Sequence, residues 1–107
     1  MDIDREMAEK VMGLFDDPIK SNVWVNEERS ICMRKRDWHP STNIFQAFQV
    51  VEKMGASVWQ LKIKKSDGSD GYYVEIRKNR DVASGWAESN TIEMAICLAI
   101  LEARGGR

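Results

Sequence analysis

Residues 57–78 read SVWQLKIKKSDGSDGYYVEIRK, and this stretch decides the fold. Side chains alternate between the two faces of a strand, so a pattern of period two marks a half-buried strand. Trp59, Leu61 and Ile63 fall on one face, with Gln60, Lys62 and Lys64 on the other. The pattern repeats with Tyr72, Val74 and Ile76 against Tyr73, Glu75 and Arg77. Between the runs, Lys65 to Gly71 is polar and glycine-bearing, which predicts an antiparallel hairpin. Asn79 to Asp81 turns the chain again, and Val82 to Trp86 supplies a further strand. Upstream, Val23–Val25 and Ser30–Met33 form a shorter predicted hairpin around Asn26 to Arg29, with Phe15 to Ser21 as a connector before it.

Three helices surround these strands. Met7, Val11 and Leu14 give the first one apolar stripe, opened by Asp2 or Asp4 and ended near Gly13. The second runs from about Thr42 to Met54, with Ile44, Ala47, Phe48 and Val51 on one face, Phe45 and Val50 widening it, and Gly55 placed for a left-handed cap. The third opens at Asn90, with Glu93 three residues on as in a capping box, and from Ile92 to Ala103 is apolar on most of its circumference, as suits a helix central to the core or one covered by another subunit. The order α-β-β-α-β-β-β-α with tight turns predicts an α+β fold with a small, mostly antiparallel sheet and about three helices. A chain of 107 residues without a linker is one domain's worth, residues 1–107.

Composition narrows the function classes. Apolar residues make up 43% and charged residues 31%, with a formal net charge of −1, so nothing draws the whole chain toward nucleic acid or an anionic membrane. Met1 to Asp4 is acidic rather than a leader, and no apolar run is long enough to span a bilayer; a cytoplasmic protein is expected. Cys32 and Cys97 have no metal spacing, and His39 is the one histidine, so neither a metal nor a cofactor is expected. His39 near Ser41 looks like a base beside a nucleophile, but Ser41 is explained by helix capping and no third group orients the pair. Asp16 and Asp17 read as a solvated connector, and Gly68 and Gly71 sit in a hairpin loop rather than a phosphate loop. The protein is not expected to be an enzyme.

Binding has more support. Trp38, His39, Pro40, Ser41, Thr42, Asn43 and Ile44 are echoed by Trp86, Ala87, Glu88, Ser89, Asn90, Thr91 and Ile92. Each copy places a tryptophan ahead of a capped helix start, where free backbone N–H groups and the helix dipole favour an anion. The candidate ligand-binding residues are therefore Trp38, His39, Ser41, Thr42, Asn43, Trp86, Ser89, Asn90 and Thr91. Arg34 and Arg36 would add phosphate-binding charge. In the alternative, Trp38 and Trp86 are staples packed outside the helix caps.

The chain also resembles the phage ABA sandwich family. The resemblance lies in Ala8-Glu9-Lys10-Val11-Met12-Gly13, in Pro40-Ser41-Thr42-Asn43-Ile44 with Val50-Val51-Glu52-Lys53, and in Thr91 with Ala95-Ile96-Cys97. It departs in having Asn43 where the family tends to have Asp, and in a longer segment from Asn22 to Asp37. The resemblance implies an α-β-α sandwich encoded by a bacteriophage or prophage, acting in the host cytoplasm, and carries no functional residues with it. The resulting expectation is a non-enzymatic accessory protein that counters host defence by sequestering a phosphate-bearing nucleotide signal. The alternative is a protein–protein or structural module acting through the apolar last helix, on a host protein or a second copy of the chain.

Overall fold

The computed structural model describes residues 2–55, 58, 60–66, 70–78 and 83–104. Trp59, the loop at 67–69 and the turn at 79–81 lie outside them. Asp2 caps α1 (Ile3–Glu6) by accepting the Arg5 backbone N–H, and the helix continues as a π-helical turn, Met7–Val11. That leaves Asp4 free for another role. The Leu14 N–H closes the end by donating to the Ala8 carbonyl at 2.9 Å across Gly13, whose φ of +69° suits a residue without a Cβ.

Two three-stranded sheets follow instead of one. The first is β1 (Phe15–Asp16), β2 (Val23–Val25) and β3 (Ile31–Arg34), antiparallel in that order. Phe15 and Asp16 thus belong to an edge strand, not to a connector; two residues are too few to display an alternation. The β2–β3 bend is held by Asn26, whose Oδ1 accepts the backbone N–H groups of Glu28 at 3.0 Å and Ser30 at 2.9 Å. The second sheet is β4 (Gln60–Lys65), β5 (Tyr72–Arg77) and β6 (Ala83–Ser89), also antiparallel. Its register sets Lys62 beside Glu75 beside Trp86, and Lys64 beside Tyr73 beside Glu88. The expected alternation holds on β5, where Val74 and Ile76 are fully buried. β6 runs on to Ser89, beyond the predicted end at Trp86.

Helix α2 (Ile44–Met54) is capped by Asn43, which accepts the Gln46 N–H, and ends at Gly55 with φ +56°. Its buried stripe is Ala47, Val50 and Met54, with Ile44 and Val51 packed against the core as expected; Phe45 and Phe48, expected on that side, are 80% and 40% exposed. Both faces of this helix carry apolar residues, so the sequence leaves its rotation undetermined, and small Ala47 lets α2 approach the neighbouring helix closely. Helix α3 (Ile92–Ala103) is capped by Thr91, one residue after the expected Asn90.

α3 is the middle of the structure. It lies against β5 and β6 on one side and against α2 and α1 on the other, and none of its residues is exposed. Ala95, Ile96, Cys97, Ala99, Ile100 and Leu101 have no solvent exposure. Its apolar circumference is therefore largely covered by its own chain. The approach to the sheet is closest at Gly85, where an added Cβ would stand 2.4 Å from the Ala99 carbonyl oxygen and 2.5 Å from the Ala103 nitrogen. Both are backbone atoms and cannot rotate away. Gly85→Ala is expected to lower unfolding free energy by about 3 kcal/mol, the upper part of the overpacking range, in urea denaturation. Glu88→Ala, on the opposite face of the same strand, should stay within about 0.5 kcal/mol.

Candidate functional site

The two echoed stretches fold differently. Trp38 follows a 3-10 turn, Lys35–Asp37, and is only 3% exposed; its indole N–H donates to the Asp4 carbonyl at 2.9 Å. The Asp4 carboxylate accepts the Ser41 backbone N–H at 2.9 Å, so the start of α1 is pinned to this loop twice. The His39 N–H donates to Gln46 Oε1, and Gln46 Nε2 donates to the Asp37 carbonyl, both at 2.6 Å. The Asn43 side chain is used in capping, and Ser41 is buried. Trp38 is thus a core staple and not a stacking platform, and the cap is Asn43 where Ser41 was expected. Thr42 remains exposed, with its hydroxyl 3.4 Å from the His39 carbonyl.

Arg34 and Arg36 line a separate hollow of about 160 Å³ with Asn22 and Lys35. Arg34 stands 3.8 Å from Asp37. Lys35 turns the other way, pairing with Asp16, which also takes Arg5 at 2.8 Å. The two cations lie over Trp24, with Arg5 5.1 Å and Lys35 4.7 Å from its ring centroid. Hydrogen bonds from Arg5 first and Lys35 second hold the Asp16 carboxyl down to about 2.

Trp86 is placed otherwise. It sits within β6, not beside a cap, and is 50% exposed on the sheet face opposite α3. Its ring stacks on Tyr73 with centroids 6.0 Å apart and an interplanar angle of 26°. Lys64 Nζ lies 5.1 Å from the Tyr73 centroid. Between them, Glu75 accepts the Tyr73 hydroxyl and the Arg77 Nε–H, each at 2.8 Å. These bonds, Tyr73 first, hold the Glu75 carboxyl below its usual range, while burial and then the bond to Glu75 push the Tyr73 phenol above its own. Tyr73 is therefore neutral and Glu75 charged at physiological pH, and the platform is fixed by its own polar contacts. Lys62 and Glu88 are exposed on the same face and have no ion pair among the described residues.

Ser89 and Asn90 open a hollow of about 190 Å³ with Ser66, Gly71 and Glu88 at the end of this sheet. The Ser66 hydroxyl there is buried, with no hydrogen-bond partner among the described residues. Thr91 is spent on the cap, its Oγ1 accepting the Met94 N–H at 3.3 Å. Arg34 and Arg36 thus line one hollow and Ser89 and Asn90 another, and no residue from His39 to Asn43 lines either. Tyr73, Lys62 and Lys64, which join Trp86 on this face, were not among the expected candidates, although the polar side of each alternating strand carries them. Cys97, buried in α3, has its thiol pushed up to about 12 by desolvation and is inert. No helix among the described residues is long and apolar enough to cross a membrane.

The chain matches the Phage ABA sandwich domain over residues 5–101. Among solved structures it is similar to a phage protein from Bacillus cereus ATCC 14579, with 28% identity and a TM-score of 0.67, over 97% of this chain and 85% of that one. No curated protein matches.

The contrast between the tryptophans has a direct consequence. Trp38→Ala is expected to cost about 3–5 kcal/mol of stability, as a buried Trp truncation does, and Trp86→Ala no more than about 1 kcal/mol in the same denaturant titration. Asp16 supplies an acid-side signature. Its carboxyl is lowered on folding, so the stability it contributes is present above pH 3.8 and lost as pH falls toward about 2. The pair is exposed, so the contribution is small. Asp16→Asn should flatten the stability profile between these two pH values, measured by acid titration of the thermal midpoint.

Proposed function

We propose that the chain, which belongs to the Phage ABA sandwich domain family, is a non-enzymatic accessory protein that binds a phosphate-bearing nucleotide on the open face of its second sheet. The favoured use of that binding is to withhold a nucleotide signal from host defence. The observation that carries this reading is the half-exposed Trp86 stacked on Tyr73 on a sheet face that no other described element covers. Burying a large aromatic is the default in a small protein, and exposed aromatics flanked by cations are what stacking on a base requires. Lys62 and Lys64 stand on β4, next to Tyr73 and on the same face, and supply charge for phosphate. The helix starts at Asn43 and Thr91 are occupied by their own caps, which moves the site away from Trp38, His39, Ser41, Thr42 and Asn43 and onto Trp86.

A protein-interaction role is the second reading, and one observation favours it on a surface other than α3. Phe15, Val25 and Ile31 lie side by side across the first sheet, with Phe15 51% and Ile31 54% exposed, and Ile19 is exposed nearby. An apolar row of this kind is a candidate contact for another protein.

Calorimetry against linear and cyclic nucleotides tests the first reading. A dissociation constant well below about 1 mM is expected, weakened about tenfold or more by Trp86→Ala, in line with about 1–3 kcal/mol per stacked base. Binding by no nucleotide in this range, or binding indifferent to Trp86→Ala, would count against it.

A further inference from the structure

The charges on the open face are segregated. On β6, Glu88 stands next to Trp86 on the same side of the strand and directly opposite Tyr73. On β4, Lys62 and Lys64 face them across β5. The aromatic pair therefore has a carboxylate along one border and two ammonium groups along the other. Two strand spacings, about 9.5 Å, separate the borders. Glu75 is already taken by Tyr73 and Arg77, whereas the Glu88 carboxylate accepts no hydrogen bond among the described residues.

For a nucleotide lying on the aromatic pair, this polarity sets the direction. Its phosphates turn toward Lys62 and Lys64, and its base edge turns toward Glu88. An ionised carboxylate is acceptor-only, with two oxygens side by side. It fits a base edge that offers two adjacent donors. Guanine does so through its N1–H and 2-amino group. Adenine instead sets an acceptor nitrogen beside its amino group, cytosine does the same, and uracil flanks its single N–H with two carbonyls. Three of the four bases thus direct a lone pair at the carboxylate.

We propose that the open face selects guanine nucleotides, with Trp86, backed by Tyr73, stacking the base, Glu88 accepting from its N1–H and 2-amino group, and Lys62 and Lys64 holding its phosphate. This rests on the nucleotide-binding reading and adds the identity of the base. The carboxylate serves as a specificity group; without it the platform accepts any base, since every base has a face to stack.

The test is titration of the full chain with GMP, AMP and inosine monophosphate, in the native protein and in Glu88→Gln. GMP is expected to bind about tenfold more tightly than AMP, the discrimination of one good bidentate pair. Inosine monophosphate, which keeps N1–H and lacks the 2-amino group, should fall between them. Glu88→Gln should abolish the guanine preference, weakening GMP and strengthening AMP, whose N1 lone pair then meets an amide donor in place of a carboxylate. Equal affinities for GMP and AMP in the native protein, or a guanine preference that survives Glu88→Gln, overturn the guanine assignment while the aromatic platform stands. If none of the three nucleotides binds, both the assignment and the platform fall.

Discussion

The contact on which the structure depends is the approach of α3 to β6 at Gly85. A helix apolar on nearly its whole circumference must be covered on all sides, and here the sheet covers one side while α2 and α1 cover the other. The sheet side closes because Gly85 has no side chain to hold the helix away, and Ala87, Ala99 and Ala103 keep the neighbouring surface thin. Backbone brought this near to backbone leaves no room for adjustment, which is why one methyl group there matters more than larger changes on the outer face. The same closure determines what remains open. With α3 committed to the inner face, the outer face of the second sheet has no described layer above it.

That outer face is stabilised from within. The Tyr73 hydroxyl and Arg77 are both tied to Glu75, and Tyr73 in turn backs Trp86. A platform held by its own hydrogen bonds does not need to be ordered when a ligand arrives, so less of the binding free energy is lost to ordering. The first sheet is held by a different device. Asp16 draws Arg5 and Lys35 over Trp24, which ties α1, β1 and the 3-10 turn together around one buried indole.

Much of this was legible in the residues, and the failures have physical causes. The alternation from Leu61 to Lys64 and from Tyr72 to Arg77 carries enough period-two signal to give both strands and their facing sides. The α+β class and the all-round apolar α3 follow from equally plain patterns. β1 escaped because two residues cannot show a period, and the split into two sheets depends on pairings between distant segments that no local pattern encodes. On α2 the expected face holds at Ile44, Ala47, Val50 and Val51 but not at Phe45 and Phe48, which are more apolar than Ala47 yet face outward; packing rewarded the residue that fits, not the more hydrophobic one. The echo of Trp38 through Ile44 in Trp86 through Ile92 was real only at its end, where Asn43 and Thr91 cap their helices alike. Ahead of the caps, one tryptophan closes a turn in the core and the other lies in a strand facing out. Capping chemistry constrains the residue before each isoleucine; it says nothing about the segment leading in.

The central claim is that ligand recognition belongs to the open face and not to the helix starts. Nuclear magnetic resonance of the labelled chain during a GMP titration measures this most directly, since each backbone amide and each indole N–H reports separately. Shifts are expected only at the Trp86 indole and the amides of Lys62, Lys64, Tyr73 and Glu88, with the Trp38 indole and the amides of Ser41 and Asn43 unmoved. Shifts centred on Trp38, Ser41 and Asn43, or on the first sheet around Phe15 and Ile31, would contradict it, as would a titration in which nothing moves.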